Sequence, residues 1–212
     1  MKILIVGSGS LFDESLLIRY HQWADVVIAA DGGQMHLKKA GLCSDVLLGD
    51  FDSIGKAELA EIKDNSNSEL ITFPKDKDYT DLELAINLAI ERGASEIVIL
   101  GASGTRLDHT TANIHLLYKL SENNIKGYIE DEHNRIYLVK NSITIKKQKD
   151  YKISILPLFP FADGVCTKGL SYKLSDAKLS FGTGQGISNE FCDKTATISV
   201  KEGLLLVFVS RD

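Results

Sequence analysis

The chain has 212 residues, of which 44% are hydrophobic and 25% charged, a composition typical of a soluble globular protein with one or two domains. The 24 basic and 29 acidic residues give a formal net charge of −5, which disfavours a protein that binds the phosphate backbone of nucleic acids. The three cysteines are widely spaced, and the sequence has neither a signal-peptide core nor an apolar run of membrane-spanning length. These features predict a cytoplasmic protein that is not bound to a membrane.

In the first half of the sequence, short apolar runs alternate with helical periodicity, the pattern of a parallel sheet covered by helices. The predicted strands span 2–6, 25–29, 46–48 and 97–100. The strongest helical pattern follows a capping box formed by Thr80 and Glu83 and ends before Gly93. Its apolar residues repeat at helical spacing, namely Leu82, Ala85, Ile86 and Ala89. A second helix is predicted over about 110–120.

The pattern changes near residue 125, after which short β-type runs are separated by glycines and polar turns. These runs span 135–139, 143–145, 153–156, 178–181, 196–200 and 204–209. We therefore predict an α/β domain with a mainly parallel sheet over residues 1–125, followed by a β-sandwich domain over residues 126–212.

Aspartates follow two of the predicted strands. Asp31-Gly32-Gly33 comes after the second strand, and Asp50 and Asp52 come after the third. The carboxyl ends of parallel strands face one crevice, and two adjacent carboxylates repel each other unless a cation such as Mg²⁺ lies between them. Either aspartate alone is better explained as a turn or N-cap residue. Together they favour a metal or phosphate site.

A second acidic segment precedes the strongest helix. It contains Asp76, Asp78 and Asp81, interspersed with Lys75 and Lys77. The positive end of a helix would stabilise one of these aspartates, whereas the mixture of charges suits a metal-bound polyphosphate. The spacing leaves both interpretations open.

The segment 101–109 follows the fourth predicted strand and contains small residues and Arg106, a combination that allows backbone amides and a guanidinium to approach a phosphate. It lacks the lysine of a Walker loop. The Gly7-Ser8-Gly9 segment has Phe12 where a dinucleotide-binding loop needs its third glycine. The sequence therefore predicts a phosphate cradle of another kind.

Two glycine-containing segments of the β region, 169–174 and 182–191, carry polar and aromatic residues. Both are explained as turns, yet Tyr172 offers an aromatic face, and Ser188 and Asn189 offer hydrogen bonds. Together these residues could bind a flat heteroaromatic ligand.

Five segments, in order along the chain, resemble the bacterial thiamine pyrophosphokinases. They are Asp31-Gly32-Gly33, Gly49-Asp50-Phe51-Asp52-Ser53, Lys77-Asp78-Tyr79-Thr80-Asp81, 101–104 with Arg106-Leu107-Asp108-His109, and Gly186-Ile187-Ser188-Asn189-Glu190. The resemblance implies transfer of a pyrophosphoryl group from ATP to the hydroxyl of thiamine, giving thiamine diphosphate and AMP with Mg²⁺. It also implies an α/β domain followed by a β-sandwich. The expected working unit is a homodimer that holds thiamine between the catalytic domain of one subunit and the β domain of the other.

The resemblance also assigns roles to individual residues. The catalytic candidates are Asp50, Asp52, Asp78 and Asp81, of which Asp50, Asp52 and Asp81 would hold the metal. The ATP-binding candidates are Asp31, Gly32, Ser103, Gly104, Thr105, Arg106, Asp108 and His109, and the thiamine-binding candidates are Tyr172, Ser188 and Asn189. Asp78 and Asp81 are equal candidates for the proton acceptor, and Lys173 stands where bacterial members often have proline. The acidic loops alone would also suit a metal-dependent phosphohydrolase or a non-catalytic protein that binds thiamine or a nucleotide.

Overall fold

A computed structural model describes residues 1–50, 68–74, 76 and 78–212 of the chain. These residues form two compact units, 1–132 and 133–212. The sequence-based boundary at residue 125 precedes strand 126–130, which pairs with a strand of the first unit and belongs to that unit. Among the predicted site residues, Asp52 lies outside the described residues, as do Lys75 and Lys77 of the second acidic segment.

The first unit contains a parallel sheet in the order β4-β3-β2-β1-β5-β6. The strands are β1 Lys2–Val6, β2 Val26–Ala30, β3 Val46–Gly49, β4 Glu69–Thr72, β5 Glu96–Leu100 and β6 Lys126–Glu130. In β1 and β5 the last four of the five residues are buried, as expected for central parallel strands that are covered on both faces. The predicted α/β architecture is confirmed.

The described helices of this unit are α1 Glu14–Trp23, α2 Gly33–Lys39, α3 Asp81–Glu91, α4 Leu107–His115 and α5 Leu117–Glu122. Helix α3 confirms the strongest helical prediction, because its four predicted apolar residues are buried. Half of the predicted capping box is present. The Thr80 hydroxyl accepts a hydrogen bond from the Glu83 amide at 3.2 Å, while the Glu83 carboxylate pairs with Lys119 at 2.6 Å.

The second predicted helix is wrong in its extent. The structure has two helices there, with Leu116 between them. Helix α4 has no buried residue, whereas Leu117 and Leu120 of α5 are buried. Of the two helices, only α5 buries apolar side chains in the core, so the apolar spacing predicted a continuous helix that the structure divides in two.

A buried polar cluster joins α1 to β6. The Tyr20 hydroxyl donates a hydrogen bond to Glu130 and lies 3.0 Å from the Tyr128 hydroxyl. Arg19 pairs with the same Glu130 carboxylate at 3.1 Å. Burial, reinforced by the hydrogen bond to Glu130, raises the pKa of Tyr20 well above its ordinary value. Tyr20 is therefore a permanent hydrogen-bond donor that keeps the buried carboxylate satisfied.

The second unit is a sandwich of two antiparallel sheets, ordered β7-β13-β9 and β11-β10-β12-β8. Its strands are β7 Asn134–Val139, β8 Ser142–Lys146, β9 Lys152–Pro157, β10 Phe161–Lys168, β11 Ala177–Ser180, β12 Thr195–Ser199 and β13 Leu205–Ser210. Both sheets contribute to one apolar core; for example, Ile155 and Val207 from the first sheet and Val165 and Ile198 from the second are fully buried. The predicted β-sandwich is confirmed.

No helix in the described part of the chain is long and apolar enough to cross a membrane.

Candidate active site

A crevice of about 430 Å³ lies at the carboxyl edge of the parallel sheet in the first unit. The segments that follow β1, β2 and β5 line it, together with the beginnings of α3 and α4. The lining residues are 7–9, Ala30, Asp31, 80–82, 101–106, His109, Thr110 and Asn113. Ligands of open parallel sheets bind at this edge, so the fold places the crevice where a ligand is expected.

Two loop backbones in direct contact form one wall of the crevice. The Gly9 amide donates to the Gly101 carbonyl at 2.8 Å, and the Ser10 amide donates to the Ser103 carbonyl at 2.7 Å. A β-carbon on Gly9 would lie only 2.3 Å from the Ser103 carbonyl oxygen. Gly101 has φ of +63°, a backbone conformation that favours glycine. Only glycines allow the two loops to approach this closely.

Asp31, the first residue after β2, lines the crevice as predicted. Its φ of +48° lies in the left-handed region, which is costly for a residue other than glycine. Its amide donates to the Leu48 carbonyl of β3 at 2.7 Å, which fixes the turn. The predicted partner Gly32 is the N-cap of α2 and is not among the lining residues.

The second acidic segment brings one carboxylate to the crevice. Asp81 is the first residue of α3 and lines the crevice together with the N-cap Thr80, whereas Asp78 is not among the lining residues. The fold thus separates two aspartates that the sequence could not rank.

Asp50 follows β3, the strand next to β2. Ala30 of β2 pairs with Leu48 of β3, so Asp50 and Asp31 both follow their strands at the same edge of the sheet. Asp50 is nevertheless not among the residues that line the crevice. In the parts of the chain that the structure describes, no three His, Cys, Asp or Glu side chains are close enough to hold a metal ion. The metal assignment to Asp50, Asp52 and Asp81 stays a prediction, since Asp52 is outside the described residues.

The segment 101–106 lines the crevice, and side chains from later elements hold it in place. The Ser103 hydroxyl donates to the Asp131 carboxylate at 2.7 Å. The Asn113 amide of α4 donates to the Ala102 carbonyl at 2.7 Å, and the Gly104 amide donates to the Thr110 hydroxyl at 3.2 Å.

Arg106 lines the crevice and is paired with Asp108, which lies outside the lining. Two hydrogen bonds join them: Nη2 to Oδ2 at 2.6 Å and Nε to Oδ1 at 3.3 Å. The hydrogen bond from Arg106 lowers the pKa of Asp108 to about 2, and the same contact raises the pKa of Arg106. Both side chains are exposed, so the pair adds little stability but holds the guanidinium at the crevice.

Several residues of the crevice are not among the site residues predicted from the sequence, and they include 7–9, Thr80, Thr110 and Asn113. Two signals were available. Residues 7–9 directly follow the first predicted strand, at the same edge as Asp31. Arg106, Thr110 and Asn113 are spaced by four and three residues, which places them on one face of a helix that begins near Leu107.

A second hollow of about 610 Å³ adjoins the crevice and shares Ser8, Gly9, Gly104 and Thr105 with it. Its other lining residues include Phe12 and Met35, which are 83% and 57% exposed. This hollow adds exposed apolar surface beside the crevice.

In the second unit, the predicted residues Tyr172, Ser188 and Asn189 come together. The Tyr172 side chain is 70% exposed, whereas Asn189 is only 3% exposed. The carboxamide of Asn189 is hydrogen-bonded to the backbone of Tyr172 on both its oxygen and its nitrogen. Ser188 is exposed, has φ of +57°, and its amide donates to the Ser154 hydroxyl at 3.0 Å.

Both units match models of known domains. Residues 17–129 match the model described as thiamin pyrophosphokinase, catalytic domain, and residues 140–205 match the thiamin pyrophosphokinase, vitamin B1 binding domain.

Curated proteins and solved structures agree with these matches. The chain is 33% identical to the thiamine pyrophosphokinase of Bacillus subtilis (strain 168) over 187 residues, which cover 87% of each protein. It is 28% identical to thiamine pyrophosphokinase 1 of Oryza sativa subsp. japonica over 179 residues, 79% of this chain and 67% of the rice protein. The crystal structure of the Bacillus subtilis enzyme has a TM-score of 0.88 at 30% identity and covers 100% of both chains. The Geobacillus thermodenitrificans thiamin pyrophosphokinase has a TM-score of 0.86 at 30% identity, covering 100% of this chain and 98% of that one. The chain belongs to the thiamine pyrophosphokinase family.

Proposed function

We propose that this protein transfers the pyrophosphoryl group of ATP to the hydroxyl of thiamine, producing thiamine diphosphate and AMP. The proposal rests on the crevice, whose lining combines the backbones of two glycine-containing loops, Arg106, and the acidic residues Asp31 and Asp81. This is the mixture of cationic, backbone and anionic groups that a metal-bound polyphosphate requires. The family membership supplies the identity of the acceptor.

The segment 103–106 and His109 are our candidates for contact with the ATP phosphates, since they line one side of the crevice. Arg106 is the strongest of them because a guanidinium binds phosphate oxygens in a two-pronged geometry. Asp108 acts on ATP only through Arg106, which it holds in place.

The donor set of the crevice fits Mg²⁺. Asp31 and Asp81 both line the crevice, and carboxylate oxygens are the hard ligands that Mg²⁺ prefers. We propose that Asp50, Asp52 and Asp81 hold the ion, as the family resemblance implies. When bound, Mg²⁺ offsets negative charge on the polyphosphate.

Attack by the thiamine hydroxyl on the β-phosphorus depends on in-line positioning more than on covalent catalysis. A carboxylate that accepts the hydroxyl proton helps, because an alcohol is a poor nucleophile. We assign this role to Asp81 in preference to Asp78, because Asp81 lines the crevice.

We place the nucleoside of ATP in the hollow that adjoins the crevice. Phe12 and Met35 give this hollow exposed apolar surface against which a base can stack. Phe12→Ala should then raise the KM for ATP several-fold and leave the KM for thiamine unchanged. An unchanged KM for ATP would place the base elsewhere.

Thiamine binding is assigned to Tyr172 and Ser188 in the second unit. Thiamine carries a cationic thiazolium ring, which an exposed aromatic face attracts, and its polar groups can bond to a serine hydroxyl. The exposure of Tyr172 and the left-handed backbone of Ser188 support this assignment.

A single assay tests the proposed reaction. The protein is incubated with ATP, Mg²⁺ and thiamine, and AMP is quantified with thiamine present or omitted. AMP that forms only with thiamine supports the proposal. Phosphate release without thiamine would indicate a phosphohydrolase, and tight binding of thiamine without AMP would indicate a non-catalytic binding protein.

We also infer that the enzyme is a cytoplasmic homodimer with sites shared between subunits, as the family resemblance implies. The ATP candidates lie in the first unit and the thiamine candidates in the second, which is compatible with sharing. The test unfolds and refolds together inactive Asp81→Asn chains and chains that carry both Tyr172→Ala and Ser188→Ala, which together remove the proposed thiamine contacts. Random pairing leaves one intact site in each mixed dimer, so about a quarter of wild-type activity should return. Mixed dimers without activity would place each site within one chain.

A further inference from the structure

The carboxamide of Asn189 is used entirely within the second unit. Its Oδ1 accepts hydrogen bonds from the amides of Tyr172 at 3.0 Å and Glu190 at 2.9 Å, and its Nδ2 donates to the Tyr172 carbonyl at 2.6 Å. The residue is 3% exposed. Asn189 therefore has almost no surface left to offer a ligand, although its sequence position beside Ser188 predicts direct contact.

The backbone of Asn189 is itself held firmly. Its amide donates to the Ile153 carbonyl at 2.8 Å, and the Ile153 amide donates to the Asn189 carbonyl at 2.9 Å. Ile153 belongs to β9 and is fully buried. The Asn189 side chain therefore extends from a backbone that is fixed to the core of the sandwich. Its hydrogen bonds hold the loop 169–174 to that backbone.

The loop 169–174 depends on such contacts because Tyr172 lies outside the strands. The Ser171 amide donates to the Glu190 carbonyl at 2.9 Å, and the Leu174 amide donates to the Thr167 hydroxyl at 2.8 Å. Between these two points, Asn189 binds both backbone polar groups of Tyr172. The Tyr172 backbone is consequently immobilised while the residue remains 70% exposed.

We propose that Asn189 is a positioning residue, which fixes the Tyr172 backbone so that the exposed ring is presented in place for thiamine. The proposal rests on the proposed function, since it takes the Tyr172 ring as part of the thiamine site. A ring held before the ligand arrives loses less conformational freedom on binding. Asn189 therefore contributes to thiamine affinity through Tyr172 and not by touching thiamine.

The test compares Asn189→Ala with Asn189→Asp. The alanine variant loses all three side-chain hydrogen bonds. The aspartate variant is nearly isosteric and keeps the accepted bonds, but it replaces the bond donated to the Tyr172 carbonyl with a contact between two oxygens. Thermal unfolding of both variants shows whether either of them loses the fold. Loss of the hydrogen bonds between the Asn189 side chain and the Tyr172 backbone should raise the KM for thiamine about tenfold or more. The kcat and the KM for ATP should stay within about twofold of wild type. Ile145→Val, in the core of the same unit, is the control for general destabilisation and should leave the KM for thiamine unchanged.

Repeating Asn189→Ala in a Tyr172→Ala background separates positioning from direct contact. If Asn189 acts through the ring, the second substitution should add less than about twofold, because coupled residues are non-additive. An equal loss in both backgrounds, or an unchanged KM for thiamine in the Asn189 variants, would overturn the proposal.

Amide hydrogen exchange provides a readout that does not depend on turnover. In wild type the Tyr172 amide should be protected, and Asn189→Ala should accelerate its exchange at least about tenfold, with the Ile153 amide unaffected. If Asn189→Ala left the exchange rate of the Tyr172 amide unchanged, Asn189 would not hold the Tyr172 backbone, even if the protein were fully active. If wild type formed no thiamine-dependent AMP, the proposed function would fail, while the exchange result would still decide whether Asn189 immobilises Tyr172.

Discussion

The contact between the two glycine loops makes Gly9→Ala the sharpest test of the crevice. A β-carbon at Gly9 would lie 2.3 Å from the Ser103 carbonyl oxygen and 2.6 Å from the Gly101 carbonyl oxygen. Ordinary van der Waals contact begins near 3.4 Å, so the methyl group is about 1.1 Å too close to Ser103. Both obstructing atoms belong to the backbone, and a side-chain rotation cannot relieve the overlap.

The expected size of the effect follows from this overlap. Moving the loops apart weakens the hydrogen bonds from Gly9 to Gly101 and from Ser10 to Ser103. Overpacking of this kind costs about 1–3 kcal/mol in stability. The activity should suffer more, because a displacement of about 1 Å in a reacting geometry can lower the rate about a hundredfold.

The assay measures thiamine-dependent AMP formation and thermal unfolding in parallel. We expect Gly9→Ala to remain folded, with kcat/KM for ATP lowered about a hundredfold. The matched control is Gly184→Ala, because a β-carbon there meets nothing within 4 Å. If Gly9→Ala retained kcat/KM within about twofold of the control, the loop contact would not shape the ATP site.

Three further substitutions test separate features. Asp50→Asn should lower AMP formation at least about a hundredfold, the scale of one electrostatic group in catalysis, and full activity with an unchanged magnesium requirement would remove Asp50 from the metal site. Asp108→Asn should leave stability unchanged, because the pair with Arg106 is exposed, but should raise the KM for ATP several-fold, because Arg106 loses its partner. Since the pKa of Asp108 is about 2, its titration should not alter that KM between neutral and mildly acidic pH. Tyr20→Phe removes a donor to the buried Glu130 and should lower the free energy of unfolding in urea by about 1–3 kcal/mol. A change below about 0.5 kcal/mol would mean that the remaining partners of Glu130, Arg19 among them, satisfy its carboxylate.

The parallel sheet was predictable because its central strands are apolar on both faces and stand out as continuous runs, as in β1 and β5. Strand β10 was missed, although four of its residues are buried. Its pairing register shifts between Ala162 and Val165, and Gly164 within that shift has φ of +66°. A bulge of this kind breaks the alternation on which strand prediction relies.

The candidate site was predictable as far as single segments go. The rule that ligands bind where parallel strands end predicted that the segments after β2 and β3 face one crevice; Asp31 lines the crevice, whereas Asp50 does not. It could not indicate that Ser103 bonds to Asp131, 28 positions away. Nor could it show that Asn189 is buried, since Ser188 and Asn189 are adjacent polar residues with the same local signals. These features depend on tertiary packing, which residue spacing does not encode.

Ser188 combines backbone strain with a proposed functional role, and the two can be separated. Its φ of +57° costs a serine about 1–2 kcal/mol, which Ser188→Gly should relieve, while the greater freedom of glycine in the unfolded chain offsets about 0.4–1 kcal/mol of that gain. Ser188→Gly should therefore be neutral or slightly stabilising, whereas Ser188→Ala keeps the strain. Both variants lose the hydroxyl, so both should weaken thiamine binding by a similar factor with the KM for ATP unchanged. The control is Asn124→Gly, which has φ of +56° outside the site and should leave both KM values unaltered. If Ser188→Gly kept full thiamine affinity, the segment would contribute only its backbone shape, and the hydroxyl of Ser188 would have no part in binding.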